Sequence, residues 1–441
     1  NSKMQIKELL NGFSEGKEAK VRGRLISFRP HGGSAFGHIK DGTGRIQIYG
    51  KADKLSNFAE FLHLTLGDII EVEGELFLTK TSEKTIFLSS FSILTKPQNP
   101  IPKEWYGIRD VEIRHRKRYL DLLVNEEVKE RFERRSKIIS SLRRLLDEKG
   151  FLEVETPMMH AIAQGAEAEP FLTHHNALDL DLCLRIAPEL YLKRLIVVGL
   201  DRVYEIGKTF RNEGVSTLHN PEFTILEAYL AYANYNDMME LSSCLISSVA
   251  KEILGQTKII YNNNTIDLTS PWKKLSVFPA IGEAVGEEVK NLEDCARVCE
   301  RLNIKEIEDP FKTLVDRFVQ PNLIQPTFLV DFPAQLSPLA KKRADEPNIA
   351  ERFEIIIAGC EIGNAYSELS DPDEQLENFK RQGKIDYDFV SALSYGLPPT
   401  GGLGIGIDRL VMLLTDQTSI REVILFPLLK PKDEEDFQGD I

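Results

Sequence analysis

The first 98 residues alternate apolar and polar side chains with a period of two, and this limits the possible folds more than any other feature. Such alternation over short runs is typical of half-buried β-strands. The runs lie around Val21–Leu25, Phe36–Lys40, Arg45–Tyr49, Ile70–Leu76 and Thr85–Leu94. The Asp-Gly-Thr-Gly sequence from Asp41 to Gly44 favours a tight turn between two of these strands. Five short strands within about 80 residues predict a small closed barrel.

The rest of the chain predicts a second domain of mixed structure. With 441 residues the chain is too long for one compact core. Pro97, Pro100 and Pro102 indicate a linker, and Glu127–Lys149 has helical spacing that stops at Gly150. We therefore predict an α+β protein: an OB-type barrel over 1–98, a linker over 99–126 and a second domain over 127–441, of which 235–330 is mostly helical.

Composition and charge indicate where in the cell the protein works more clearly than what it does. The net charge of −13 by itself argues against a nucleic-acid partner. However, basic residues cluster at Lys17–Arg29 and Arg109–Arg118. Such clusters are either solvated helix faces or surfaces that contact nucleic acid. Five scattered cysteines argue against a zinc site and favour reduced thiols. No run is long and apolar enough for a membrane span, and the start lacks the pattern of a signal peptide, so we expect a cytoplasmic protein.

Three segments lie in an order that is typical of one enzyme class. The helix over Glu127–Lys149 is followed by FLEVETP (151–157). LRIAPE (184–189), FRNE (210–213) and HNPEF (219–223) follow, and GGLGIGIDR (401–409) comes last. They resemble motifs 1, 2 and 3 of the class II aminoacyl-tRNA synthetases. RYLDL (118–122), RIAPELYLKR (185–194) and EIGNAYSEL (361–369) resemble the lysyl-tRNA synthetases in particular, and the resemblance extends from about residue 17 onward.

This resemblance carries expectations about fold and activity. It implies a six-stranded antiparallel catalytic sheet flanked by helices, and a homodimer formed through motif 1. The implied reaction uses ATP, with Mg²⁺ as cofactor, to convert L-lysine to lysyl-adenylate. The lysyl group then passes to the 3′ end of tRNA(Lys).

Two strands are predicted to form the wall of the lysine site. Alternation places Phe223, Ile225, Glu227 and Tyr229 on one face, and it groups Asn364, Tyr366 and Glu368 in the same way. Periodicity alone leaves a ligand wall and a solvent-exposed face equally open for the second group. The resemblance implies that Glu368 accepts the ε-ammonium of lysine with help from Tyr229 and Glu227. It assigns the α-amino group to Glu189 and Gly165, the carboxylate to Asn364 and Arg211, and the aliphatic stem to Tyr366.

The resemblance also assigns the residues that bind ATP. Arg211 can bridge the lysine carboxylate and the α-phosphate, because its planar guanidinium offers paired donors. Phe223 and Arg409 would enclose the adenine, Glu213 would meet its exocyclic amine, and His219 would face the terminal phosphates. Glu354 and Glu361 match the magnesium ligands. Since strict alternation puts these two on opposite faces, we predict a β-bulge near Gly359 or Gly363. The motif 3 glycines would let the backbone approach the nucleotide.

In the barrel, the resemblance assigns four positions to contacts with the tRNA anticodon: Arg29, Phe36, Gln47 and Glu83. Phe36 would stack on an unpaired base, while Gln47 and Glu83 would bond to its edge. From the residues alone, Phe36 could instead be a core side chain and Gln47 merely exposed.

Two alternatives remain open. The chain has Glu169 and Leu218 where the family usually carries arginine, which leaves open a catalytically weakened, synthetase-like protein that binds RNA or signals. The retention of Arg211, Glu354, Glu361 and Arg409 argues against it. The other alternative is a related enzyme that attaches lysine to a protein, but such enzymes lack the barrel that this sequence predicts.

Overall fold

A computed structural model describes residues 4–99, 108–305, 307 and 309–431. The chain divides into two compact units, and the division falls between the described residues Asn99 and Ile108. Within these described ranges, no helix combines the length and the apolar character that crossing a membrane requires. The predicted α+β class, with a barrel before a mixed domain, is confirmed.

The first unit is a closed five-stranded barrel whose strands pair in the order β1-β2-β3-β5-β4. Its elements are α1 (Ile6–Asn11), β1 (Glu18–His31), β2 (Ser34–Lys40), β3 (Arg45–Lys51), α2 (Phe58–Phe61), β4 (Ile69–Leu78) and β5 (Lys84–Thr95). The inward positions are apolar, and Val21, Ile48 and Val72 are among those that are almost completely buried. The alternation in the sequence therefore marks the core face of each strand.

The second unit is built around a large sheet. Its first elements are α3 (Val111–Arg116), α4 (Arg118–Val124), α5 (Glu126–Glu148), β6 (Leu152–Glu153), β7 (Met159–His160), β8 (Leu172–His175), β9 (Leu180–Leu184), α6 (Glu189–Val197), β10 (Arg202–Phe210), β11 (Glu222–Ala231) and α7 (Tyr235–Leu254). Then come β12 (Lys258–Tyr261), β13 (Asn264–Asp267), β14 (Lys273–Ser276), α8 (Val277–Val285), α9 (Leu292–Arg301), α10 (Pro310–Leu314), a π-helical turn (Val315–Val319) and a 3₁₀ turn (Gln320–Asn322). The last are β15 (Thr327–Val330), a 3₁₀ turn (Ala334–Leu336), β16 (Arg352–Ile357), β17 (Cys360–Ser367), α11 (Pro372–Gln382), α12 (Tyr387–Leu393), β18 (Thr400–Gly406), α13 (Ile407–Leu414) and a 3₁₀ turn (Ile420–Glu422).

The large sheet has the strand order β14-β15-β16-β17-β18-β11-β10-β6. The six strands from β15 to β10 pair antiparallel, as expected. The short edge strands β14 and β6 pair parallel to their neighbours and extend the sheet to eight. One face packs on α5, α7 and α13 through one apolar core. On the opposite face, α8 to α10 pack near β15 and β16, and α6 and α12 pack near β10 and β11, so the middle of this face is left for a site.

The segment expected to be a linker differs from that expectation where it is described. Residues 111–124 form α3 and α4, which belong to the second unit. Arg118 is fully buried and donates to Asp121 at 2.6 Å and to the carbonyl of Arg421 at 2.7 Å. Arg114 and Arg131 both pair with Glu422. Arg114 and Arg118 in this basic run therefore lie in a buried ion-pair network, not on a solvated helix face.

Candidate active site

A groove runs along the middle of the open face of the large sheet. Gly402 and Gly404 of β18 form its floor, because alternate glycines leave this strand without side chains on that face. Gly402 pairs with Tyr229 of β11 on one side and with Tyr366 of β17 on the other. Gly404 pairs with Glu227 and with Asn364 in the same way, so two rows of functional side chains flank a bare strip. We call this region the central groove.

The central groove is part of a cavity of about 600 Å³. Seven of the eight predicted lysine-binding residues line this cavity: Gly165, Glu189, Arg211, Glu227, Tyr229, Asn364 and Tyr366. Gly165 has a φ of +95°, and a Cβ there would stand 3.1 Å from the Cβ of Ala187. Glycine is required at this position, which lies beside Glu189.

The acidic groups of the central groove form hydrogen bonds with tyrosines. The Tyr366 hydroxyl donates to Glu189 Oε2 at 2.5 Å, and the Tyr229 hydroxyl donates to Glu227 Oε2 at 3.1 Å. Burial, reinforced by the charge of Glu189, raises the pKa of Glu227 to about 8. Burial likewise raises the pKa of both tyrosine hydroxyls, so both remain proton donors at neutral pH.

The eighth predicted residue, Glu368, lies on the groove face of the sheet, packed over Gly402, but it is buried and does not line the cavity. Its Oε1 atom lies against Gly402, where an added Cβ would stand 1.9 Å from it. Oε1 has no hydrogen-bond partner within the described residues, although it is buried. Its Oε2 atom contacts the ammonium of Lys193, which reaches it from α6. The pKa of Glu368 is raised well above its usual range because burial outweighs the attraction of Lys193.

Arg211 lies at the end of β10, where the chain enters the loop towards β11. Its backbone N–H donates to the carbonyl of Pro221 at 2.8 Å, and its guanidinium lies 5.2 Å from the centre of the Phe223 ring. Its Nε is buried without a partner in the part of the chain that is described. A guanidinium that lines a cavity with unused donors is suited to bind an anion.

The predicted ATP residues gather at the far end of the sheet. Arg409 donates to the carbonyl of Glu361 at 2.7 Å and to Glu361 Oε2 at 3.2 Å, and it lies 3.1 Å from His219 Nε2. Burial and the charge of Arg409 lower the pKa of His219, which keeps the imidazole neutral. Glu213 is exposed and is a charged neighbour of His219.

The predicted bulge is present in β17. Ile355 pairs with Gly363, but the next residue, Ile356, pairs with Glu361. The extra residue in β17 brings Glu354 and Glu361 to the same face, as their proposed shared role requires. Burial, followed by the charge of Glu361, raises the pKa of Glu354 to about 7. Arg352 donates to Glu354 at 2.7 Å.

The barrel presents a second, separate surface. Arg29 and Phe36 face each other across β1 and β2, and the Phe36 ring stacks on Tyr49 at 4.3 Å between centroids. Gln47 donates to Glu83 at 2.8 Å, and the His38 ring lies 2.7 Å from the same carboxylate. All four predicted residues therefore lie on strands β1 to β3 or next to the start of β5.

Sequence reasoning missed three groups. Lys193 was missed although its spacing of four from Glu189 places both on one face of a helix. Arg352 was also missed, although its spacing of two residues from Glu354 places both side chains on the same face of a strand and could have indicated their pairing. Tyr49 and Phe87, whose rings lie 5.3 Å apart, extend the aromatic surface around Phe36; strand alternation with Gln47 could have indicated Tyr49.

Comparisons with known proteins identify the family to which the chain belongs. Residues 110–430 match the family model described as tRNA synthetases class II (D, K and N), and residues 19–94 match the OB-fold nucleic acid binding domain. A lysine--tRNA ligase of Carboxydothermus hydrogenoformans is 49% identical, over 97% of this chain and 92% of that protein. The corresponding protein of Pelotomaculum thermopropionicum is 52% identical, over 95% and 87%. That of Thermoanaerobacter pseudethanolicus is 50% identical, over 98% and 91%. The chain belongs to the class II tRNA synthetases and, within them, to the lysine--tRNA ligase family.

Proposed function

We propose that the central groove is where this ligase activates L-lysine with ATP and then transfers the lysyl group to tRNA. Family membership makes the chain an aminoacyl-tRNA ligase with lysine, ATP and tRNA as substrates. One observation carries the assignment of the site. The buried Oε1 of Glu368 has no partner among the described residues and lies at the floor of a cavity that Arg211 also lines. A carboxylate at one end and a guanidinium at the other match the two ends of lysine.

In the proposed pose, the lysine side chain lies along the bare glycine strip. Its ε-ammonium meets Glu368 at the floor, together with Glu227 and Tyr229. Its stem packs on the Tyr366 ring. An uncharged analogue would leave the Glu368 carboxylate buried and without its partner, and this cost supplies the selectivity.

The α end of lysine lies towards the other wall. Glu189 and the backbone of Gly165 receive the α-amino group, and Asn364 and Arg211 hold the carboxylate. Arg211 then presents its remaining donors to the α-phosphate of ATP. Because the carboxylate is already a nucleophile, the chain supplies alignment and neutralises charge on the pentacoordinate phosphate, without an acid–base pair. The same site then presents the adenylate to the terminal ribose of tRNA.

ATP occupies the end of the sheet near Arg409. The adenine lies between Phe223 and Arg409, Glu213 meets the exocyclic amine, and His219 faces the terminal phosphates. The contact of Arg409 with both His219 and Glu361 supports this position, because it joins the nucleotide residues to the acidic pair.

Glu354 and Glu361 fit a magnesium ion. Two neighbouring carboxylates on one face offer hard oxygen ligands and leave further positions for water and phosphate oxygens. When bound with ATP, the ion would neutralise phosphate charge. Arg352 donates to Glu354 and Arg409 donates to Glu361, and these hydrogen bonds hold the two carboxylates in place.

The remaining parts of the proposal concern assembly. The barrel would meet the anticodon through Arg29, Phe36, Gln47 and Glu83. We propose a homodimer through motif 1, supported by exposed apolar side chains that follow α5: Leu152, Met158, Met159, Leu172 and Leu180. A cytoplasmic location is in keeping with the five free cysteines.

The deciding experiment measures two reactions with the purified chain. Lysine-dependent exchange of pyrophosphate into ATP tests activation, and formation of lysyl-tRNA tests transfer. We expect both, and we expect Arg211→Lys to reduce exchange by about a hundredfold or more, because a lysine cannot bridge two anions with a planar fork. Exchange without tRNA charging would favour a protein-modifying enzyme, and the absence of exchange would favour a non-catalytic protein.

A further inference from the structure

Helix α6 carries a buried cation that the proposed mechanism has not used. Lys193 is 0% exposed, and its ammonium donates to Glu189 Oε1 at 2.6 Å. The same ammonium contacts Glu368 Oε2. One lysine therefore joins the carboxylate proposed for the α-amino group to the carboxylate proposed for the ε-ammonium. Lys193 is not among the residues that line the cavity, so it approaches both from behind.

The surroundings of Glu368 are otherwise acidic or neutral. Glu189 and Lys193 face it from α6, Glu227 and Tyr229 from β11, and Tyr366 from β17. Three carboxylates thus share a buried space, and within the described residues Lys193 is the cation that contacts Glu368. Burial favours the protonated acid, and the neighbouring carboxylates favour it further. Lys193 is the opposing influence.

We propose that Lys193 is a specificity-determining positioning residue, which favours the ionised form of Glu368 and fixes its free oxygen towards the floor of the central groove. This inference rests on the proposed function of the groove as the lysine site. The ion pair uses Oε2 and leaves Oε1 against Gly402. The same carboxylate is then held on one side by the protein's own ammonium and receives the substrate's ammonium on the other.

The consequence concerns selectivity at neutral pH. A protonated Glu368 would be a neutral acid, which no longer penalises an uncharged side chain by leaving a charge unpaired. Removing Lys193 should therefore weaken lysine binding and narrow the discrimination against norleucine, which has a similar length without the ammonium. Binding of ATP, at the other end of the sheet, should not change.

The test uses Lys193→Met, which keeps the length of the side chain and removes its charge. At pH 7 we expect the KM for lysine in pyrophosphate exchange to rise at least about tenfold, because each unit of pKa above the pH reduces the ionised fraction tenfold. The ratio of variant to wild-type KM should fall as the pH rises from 7 to 9, while the KM for ATP stays unchanged. Lys290→Met, at an exposed lysine that pairs with Glu288, should match the wild type throughout.

A double variant separates this role from a merely structural one and does not depend on the folding of the single variant. Lys193→Met combined with Glu368→Gln leaves no unpaired charge at Glu368. Its discrimination between lysine and norleucine should equal that of Glu368→Gln alone, because Lys193 acts on the ε end through that carboxylate, whereas its contact with Glu189 affects both amino acids alike. A further tenfold loss of this discrimination in the double variant, or a pH-independent KM ratio in Lys193→Met, would overturn the inference. Absence of lysine-dependent exchange in the wild type would instead overturn the proposed function.

Discussion

Glu368 Oε1 occupies the space that a side chain at Gly402 would need. An added Cβ at Gly402 would stand 1.9 Å from this oxygen and 2.7 Å from the Tyr229 ring. The glycine therefore serves the amino-acid end of the site, although sequence reasoning had assigned the motif 3 glycines to the approach of the nucleotide. The floor of the groove and its buried acid depend on each other.

Gly402→Ala should consequently damage lysine binding. The new methyl group must displace either the carboxylate or the Tyr229 ring, and overpacking of this kind costs about 1–3 kcal/mol. We expect the KM for lysine to rise by about tenfold or more and the thermal midpoint to fall. Kinetics of pyrophosphate exchange and a melting curve measure both effects.

Gly404→Ala is the matched control for stability. Its Cβ would meet Asn364 Oδ1 at 3.6 Å and the Ile225 side chain at 3.7 Å, which are ordinary contacts. Its thermal midpoint should remain close to that of the wild type. An equal loss of stability in both variants would show that the clash with Glu368 is not the cause.

Glu227 should make folding stability depend on pH. Its pKa is raised from the usual 4.5 to about 8, so between these values the folded protein keeps a proton that the unfolded chain has lost. Glu227 therefore lowers the free energy of unfolding as the pH rises through this window, by at most about 1.4 kcal/mol per pH unit. Urea unfolding at pH 5 to 8 should show Glu227→Gln gaining stability over the wild type as the pH rises. The exposed Glu283→Gln should show no such trend.

Phe36→Ala should weaken tRNA binding and leave lysine activation intact. Phe36 stacks on Tyr49 at the barrel surface, and the loss of one stacked base costs about 1–3 kcal/mol, or roughly 5- to 150-fold in affinity. A filter-binding assay for tRNA(Lys), run beside pyrophosphate exchange, separates the two effects. Leu94→Ala, at an exposed residue of β5, should bind as the wild type does. Unchanged tRNA affinity in Phe36→Ala would argue against the anticodon assignment.

Arg135→Met should destabilise the second unit strongly. Arg135 of α5 donates to Asp408 Oδ1 at 2.6 Å, and the other carboxylate oxygen accepts the backbone N–H of Thr224. Loss of the arginine leaves a buried charge without its partner, which costs about 3–5 kcal/mol. Chemical denaturation measures this, and Asp408→Asn in the same chain should recover part of the loss. Arg144→Met, at a half-exposed pair on the same helix, should cost about 1 kcal/mol or less.

The sequence predicted which strand face each site residue lies on better than it predicted the contacts among the buried residues. Alternation correctly grouped Glu227 with Tyr229 and Asn364 with Tyr366, because a strand fixes the side of each residue through backbone geometry alone. Alternation also grouped Glu368 with these residues, but it could not show that Glu368 packs against Gly402, because that contact depends on how neighbouring strands pair. Nor could it reveal the contact of Lys193 with Glu368, because the two residues are remote in sequence.

The same limit explains the segment expected to be a linker. Its prolines indicated a break, but Arg118 at the start of α4 donates to the backbone carbonyls of Arg421 and Leu425. These partners lie about 300 residues further along the chain. Local patterns carry no information about such contacts, whereas the barrel, whose turns and strands are all encoded locally, was predicted strand by strand.

The extra residue in β17 also restricts how this family of chains can change in length. Insertion or deletion of a single residue directly after Gly363 would turn the side chains of Asn364 and Tyr366 towards the apolar core. The side chain of Ala365 would then face the central groove. The number of residues in β17 is therefore constrained, because a change of one residue would exchange the side chains that face the core with those that face the groove.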